Sequence, residues 1–322
     1  MKKTLVALAV LAASGASFAQ ATITGAYAYG YQMKSNVGGV SGADASGFGI
    51  DTSYLQIDAK EDLGGGLTAA AMMSIDGMNR SGIAGGDSSL SLTGKFGRIA
   101  MGNGRGPDTM TDYVKGAVGM DGKVFSALTT SENISYLTPE LFPGFKVQFQ
   151  HLEGATSQGT ENVAPMGLGV GATGTSIQRR NDVRFQYAQG PLAAAVNFLS
   201  FDQQGTSADT TNMKNATRGY VRYDMGVAQV GAALYQLNYQ LGKRTDAMVA
   251  VNVPMGAWSL GAEWAQRAKD GTAADSTVSG SAVQAVYALS KRTSVTANYA
   301  RWDVAGGTGT VAQTTVLLGH SF

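Results

Sequence analysis

Trp258-Ser259-Leu260-Gly261-Ala262-Glu263-Trp264-Ala265 decides the fold of this chain. Positions 258, 260, 262 and 264 are apolar, and Ser259, Gly261 and Glu263 stand between them. Side chains of a strand point to alternate faces, so this stretch has one apolar face and one polar face. Trp258 and Trp264 share the apolar face and are separated by about 20 Å at ~3.3 Å per residue. That distance approaches the ~25 Å apolar band, bounded by aromatic girdles, of a barrel that crosses a membrane with strands.

The same period runs outward in both directions. Phe145, Val147 and Phe149 alternate with Lys146, Gln148 and Gln150. Val183, Phe185 and Tyr187 alternate with Asp182, Arg184 and Gln186, and Leu90 and Leu92 with Ser89, Ser91 and Thr93. Helical spacing is not sustained, save for a brief trace within 107–128. Sixteen strands are predicted, at 21–33, 48–61, 67–77, 87–95, 98–103, 132–139, 145–153, 179–189, 192–201, 215–224, 227–240, 244–253, 257–267, 278–288, 294–303 and 310–322. Short turns are expected at Asp62–Gly66, Lys95–Gly97, Gly190-Pro191, Met225-Gly226, Pro254–Gly256 and Ser290–Arg292. Longer Gly/Ser/Thr-rich connections are expected at 34–47, 78–86, 104–131, 154–178, 202–214, 268–277 and 304–309. Short turns at one end and long loops at the other specify an all-β, 16-stranded antiparallel transmembrane β-barrel with both termini at the short-turn end. A soluble sandwich would have to bury sixteen such strands against one core and protect its edges.

Composition agrees. The 322 residues carry 24 Lys+Arg and 23 Asp+Glu, 15% charged, against roughly 25% in an ordinary soluble domain. The 44 glycines are about twice the usual share, and mean hydropathy is near zero. Only alternate positions need be apolar when one face meets lipid and the other water. A formal charge of +1 leaves no footprint for nucleic acid. The absence of Cys excludes disulfides, thiolate nucleophiles and Cys-based zinc sites. No cofactor or metal motif is read: neither a G-x-x-x-x-G-K-[ST] loop nor an H-E-x-x-H pair is present, and the glycine-rich Gly102-Asn103-Gly104-Arg105-Gly106 lacks both G-x-G-x-x-G spacing and a following helix and reads as the flexible entry to the 104–131 connection.

Residues 1–19 read as a cleaved secretory signal peptide. Lys2-Lys3 is the basic start, Thr4–Ala13 the apolar run and Ser17-Phe18-Ala19 the small-residue cleavage site. Residues 20–322 then form a single barrel domain.

Several stretches carry a family resemblance. Glu61-Asp62-Leu63-Gly64-Gly65-Gly66-Leu67 looks like a first periplasmic turn. Asn133–Phe145 looks like a sixth strand, turn and seventh strand. Tyr287–Thr293 looks like a penultimate hairpin, and Gly319-His320-Ser321-Phe322 like a closing strand. In this order and spacing they resemble the general porins of Gram-negative outer membranes, β-proteobacterial branch. The resemblance implies an outer-membrane homotrimer embedded in lipid that passes small hydrophilic solutes and ions by passive diffusion. It implies a loop 3, here about 104–131, folded into the pore. It implies that the barrel-assembly machinery reads the C-terminal strand through Phe322. The chain departs from the family where lumenal arginines are usual on the second strand, since Tyr54 and Asp58 stand there. Met101-Gly102-Asn103 replaces a Leu-Gly-Arg, with Arg105 displaced, and Ser321 replaces a basic residue before the terminal Phe.

Charge lining a narrow water path sets channel selectivity. The polar faces nominate Tyr54 and Asp58 on the second strand, Arg180 and Arg184 on the eighth, and Arg218 and Arg222 on the tenth. Loop 3 adds Arg105, Asp108, Asp112, Lys115 and Asp121. The loop's formal charge balances once Lys123 is counted, so the wall arginines tilt the expectation toward a weak anion preference. Catalysis by a Ser-His arrangement is not expected: of the two histidines, His151 has no evident companion in the sequence and His320 belongs to the closing strand and reads as interfacial. A barrel serving mainly as a surface adhesion or interaction protein is the alternative, motivated by the Thr/Gly-rich 154–178 stretch.

Overall fold

The computed structural model describes residues 20–79, 82–104, 120, 124, 131–152, 177–204, 213–239, 242–270, 277–304 and 309–322. Sixteen strands follow one another: β1 (Gln20–Ser35), β2 (Ala45–Gly64), β3 (Leu67–Asn79), β4 (Gly82–Gly94), β5 (Gly97–Gly104), β6 (Ser131–Leu137), β7 (Phe145–Leu152) and β8 (Ile177–Gln189), then β9 (Leu192–Gln204), β10 (Met213–Asp224), β11 (Gln229–Tyr239), β12 (Gly242–Met255), β13 (Trp258–Asp270), β14 (Val278–Ala288), β15 (Thr293–Asp303) and β16 (Thr310–Ser321). Each pairs with its sequence neighbour, and β1 pairs with β16, closing the barrel. Closure gives every wall strand two partners, which lipid demands because an unpaired backbone group there costs several kcal/mol. A wall of sixteen strands leaves a wide interior, where eight would be filled by side chains.

All sixteen expected strands are present, and 278–288 matches to the residue. Two expectations are corrected. The long connection placed at 78–86 is mostly ladder: β3 runs on to Asn79 and β4 begins at Gly82, with Met78 opposite Ile83 and Asn79 opposite Gly82. Gly82-Ile83-Ala84-Gly85-Gly86 reads as loop by composition, yet it carries no proline and pairs through its backbone. Of the Gly102–Gly106 stretch expected as a flexible entry to the 104–131 connection, Gly102, Asn103 and Gly104 continue β5, which ends one residue beyond the expected 98–103 strand, and Asn103 Oδ1 accepts from the Ser88 amide at 2.6 Å and the Ser88 hydroxyl at 2.7 Å; Arg105 and Gly106 lie outside the described residues.

The short turns use glycine where backbone geometry requires it. Gly64, Gly65 and Gly66 follow one another at φ +83°, +63° and +81°, a left-handed run that side chains with a Cβ resist. Asp62 fixes the turn's entry by accepting the Gly64 amide at 2.9 Å.

The apolar face of each strand points outward. Trp258 and Trp264 are 48% and 41% exposed on the outer wall, and Trp258 packs on Tyr287 with ring centroids 4.7 Å apart. Phe145, Phe185 and Phe198 form a second outward aromatic run across β7–β9. These large exposed side chains are the lipid-facing band of the barrel.

Candidate pore lining

Residues directly opposite each other in an antiparallel ladder share a face. The register therefore aligns inward-facing side chains into rows around the wall. One row runs Arg184, Asn197, Arg218, Tyr235, Asp246 and Arg267 across β8–β13. The row beside it runs Asp182, Leu199, Ala216, Leu237 and Arg244. Acids and aromatic rings lie between the arginines. The Arg244 guanidinium donates to Asp246 Oδ2 at 2.9 Å. Asn197 Nδ2 reaches both Asp182 oxygens at 3.4 Å. Arg184 Nη2 donates to the Tyr220 hydroxyl at 3.3 Å and lies 5.8 Å from that ring's centroid. Arg218 sits 5.1 Å from the Tyr235 centroid and Arg244 6.0 Å from that of Tyr239. A cation over an aromatic face gains roughly 0.5–2 kcal/mol, and a buried charge keeps its place only with such partners.

The opposite wall is built differently. Tyr54, Gln56 and Asp58 stand at every second position of β2, so they share the inner face. The Tyr54 hydroxyl donates to Gln56 Oε1, and Gln56 Nε2 donates to Asp58 Oδ2 at 2.7 Å. Asp76 lies directly opposite Tyr54 and Ser74 opposite Gln56. Ser74 Oγ accepts from the Asp87 amide at 2.8 Å and donates to the Asp87 carbonyl at 3.2 Å. Asp58, Asp76 and Asp87 all act electrostatically on Tyr54. Lys34, Lys60 and Arg98 offset them on the inner face of β1, β2 and β5.

The inner face is not polar throughout, as alternation between lipid and water would require. Ala233, Tyr235, Leu237, Met248, Ala250, Ala265, Val278, Ala282 and Ala300 all point inward and are buried in one apolar cluster. Met120 and Val124 belong to the same cluster at 0% exposure. These are the two described residues of the connection between β5 and β6. The Met120 amide donates to Glu263 Oε1 at 2.8 Å, and the Val124 amide donates to the Met120 carbonyl at 3.0 Å. An inner wall that receives chain rather than water has reason to be apolar there.

The sequence candidates fall into two groups. Tyr54, Asp58, Arg180, Arg184, Arg218 and Arg222 are on inward positions of the wall. Arg180 and Arg218 are only 5% and 4% exposed, whereas Arg184 and Arg222 are half-buried. Arg105, Asp108, Asp112, Lys115 and Asp121, with Lys123, lie outside the described residues. Sequence reading missed Arg244, Asp246, Glu263 and Arg267. Their signal was present, since Arg244 and Asp246 share one face of β12, and Glu263 and Arg267 one face of β13. His151 Nδ1 meets Asn181 Oδ1 at 2.7 Å and His320 Nδ1 meets Thr293 Oγ1 at 2.9 Å, both cross-strand polar contacts.

The family model described as Gram-negative porin matches residues 4–307. Outer membrane porin protein 32 of Delftia acidovorans is 31% identical over 336 aligned positions, covering 93% of this chain and 89% of that protein. Among solved structures, the anion-selective porin from Comamonas acidovorans superposes with a TM-score of 0.71 at 19% identity, covering 95% of this chain and all of that one. OmpT of Vibrio cholerae, solved in a trimer form, gives a TM-score of 0.64 at 14% identity over 94% and 99% of the two chains.

Proposed function

The chain belongs to the Gram-negative porin family, and from that premise we infer how its channel discriminates among solutes. It forms an outer-membrane channel, a water-filled β-barrel through which small hydrophilic solutes and ions diffuse. Family membership makes it a channel rather than an enzyme, and the adhesion reading is not favoured. Our reading is that this channel prefers anions weakly.

One observation carries the preference. On the inner face of β8–β13, Arg180, Arg184, Arg218, Arg222, Arg244 and Arg267 stand against Asp182, Asp246 and Glu263. Lys214 and Asp224, at the two ends of β10, offset each other. The β1–β5 wall has near balance, so the described lumen carries a positive excess. A cleft lined by one sign of charge concentrates ions of the other sign. Arg184 and Arg222 reach the water path directly, while buried Arg180 and Arg218 act through the field. That a structural relative is an anion-selective porin is consistent with this reading.

The reading extends to assembly. Residues 1–19 serve as a cleaved export signal, and 20–322 form the one barrel domain. Loop 3 enters the lumen, a reading supported by Met120 and Val124 on the inner wall. Three copies associate in the lipid, as the trimer form of OmpT does, and Phe322 at the barrel seam is the residue the assembly machinery reads. Tyr54 and Asp58 contribute to the constriction from β2, and Arg105, Asp108, Asp112, Lys115 and Asp121 from the loop.

Liposome swelling tests the channel. Vesicles containing the folded protein are expected to swell in small sugars at rates that fall with solute size. Sealed vesicles despite a folded barrel would favour a plugged barrel with a surface-interaction role.

A further inference from the structure

We propose that Glu263 is a positioning residue, which holds the chain at Met120 against the inner wall through its carboxylate and a socket of small side chains. The proposal rests on the reading that loop 3 enters the barrel, and deepens it by naming the anchor.

Two neighbouring rows of the ladder make the socket. The first runs Gly231, Ala250, Glu263, Ala282 and Ala300, and the second Ala233, Met248, Ala265, Gly280 and Trp302. Alanine and glycine at so many inward positions on consecutive strands hollow the wall. Met120 fills the hollow. A Cβ added at Gly280 would stand 2.6 Å from Met120 Sδ and 2.8 Å from the Trp302 Cβ, so the seat has no room for a side chain on the wall beneath the thioether. Within this apolar surface Glu263 is the one inward carboxylate of the two rows. Its cross-strand neighbours are Ala250 and Ala282. Glu263 Oε1 accepts the Met120 amide at 2.8 Å. A buried amide without an acceptor is costly, so the carboxylate fixes which residue occupies the seat. The Val124 amide bonds back to the Met120 carbonyl at 3.0 Å, and Val124 extends the apolar contact.

The chain has no cysteine, so Met120→Cys introduces a single thiol into the full-length protein. Its rate of reaction with a small methanethiosulfonate reagent, in the folded channel in vesicles, reads how often the seat opens. The parent Met120→Cys protein is expected to react slowly relative to the same protein unfolded. Adding Glu263→Ala is expected to speed the reaction by about tenfold or more, the change in open fraction that follows loss of a hydrogen bond to a charged group. Gly280→Leu, which fills the seat, is expected to speed it as well. Glu263→Gln keeps an acceptor oxygen and is expected to react more slowly than Glu263→Ala. Equal rates with Glu263 and with Glu263→Ala would overturn the proposal. So would Glu263→Gln as fast as Glu263→Ala, which would make charge rather than contact responsible. Rapid reaction in the parent protein would instead overturn the inward-entry reading beneath it. Should Gly280→Leu fail to fold, the Glu263 variants decide alone.

Discussion

Gly25 and Phe322 exchange two backbone hydrogen bonds, Gly25 N to Phe322 O at 3.0 Å and Phe322 N to Gly25 O at 2.9 Å. They fasten the last residue of the chain to β1 at the barrel seam. The Phe322 ring lies where a side chain at Gly25 would go: an added Cβ would stand 2.5 Å from its Cζ and 2.9 Å from the Tyr54 carbonyl oxygen. Gly25→Val is therefore expected to cost about 1–3 kcal/mol, the usual penalty for overpacking a filled site. A lowered denaturant midpoint in urea titration of the vesicle-folded protein would report it.

The outward face gives a depth-dependent prediction. Ala262 lies on the lipid face between Trp258 and Trp264. Ala262→Arg is expected to destabilise the barrel by ~2–4 kcal/mol, because a charge at mid-depth has no water, while Trp258→Arg, nearer the interface, should cost ~0–1 kcal/mol from the charge itself. Reversible unfolding from vesicles of matched thickness distinguishes the two. Equal costs would place the apolar band elsewhere on the wall.

Much of this was legible in the sequence because the period of a strand is two. A strand with one lipid face states its register in the order of its residues, and Trp258–Ala265 did so over eight positions. Two features were not legible. The 82–86 segment looks like a loop because glycine and small residues dominate it, yet β3 and β4 carry their ladder through by backbone bonds that composition does not encode. The second was the apolar inner wall. Alternation assumes water inside, so Leu237, Met248, Ala250 and Ala282 at inward positions of β11–β14 read as irregularity. A signal did exist: apolar residues at the inward parity of several consecutive strands mark where chain, not water, covers the wall. Glu263 lies among them and accepts the Met120 amide.

The buried ion pair should behave asymmetrically. Asp246 bonds Arg244 at 2.9 Å and also feels Arg267 and Arg218. Asp246→Ala leaves those guanidinium groups on the wall without its charge and is expected to destabilise the barrel by about 3–5 kcal/mol, as removal of one partner from a buried pair does. The double variant Asp246→Ala/Arg244→Ala should recover part of that loss. Thermal or denaturant unfolding of the three proteins measures the coupling.

Burial ranks the arginines. Arg222→Ala and Arg184→Ala remove half-buried charges that water reaches, and each is expected to lower anion preference. Arg180→Ala removes a charge that is nearly covered, and its effect on selectivity should be smaller and its effect on stability larger. Paired reversal-potential and unfolding measurements on the three variants test that order; an Arg180→Ala shift exceeding that of Arg222→Ala would show that the covered charge is the one ions meet.

The most direct test of the central claim is the reversal potential of the wild-type channel in a planar bilayer under a potassium chloride gradient. An anion-leaning diffusion channel, built by the arginine excess on β8–β13, predicts ohmic conductance with a modest reversal potential of the sign set by chloride. A reversal potential set by potassium would contradict it.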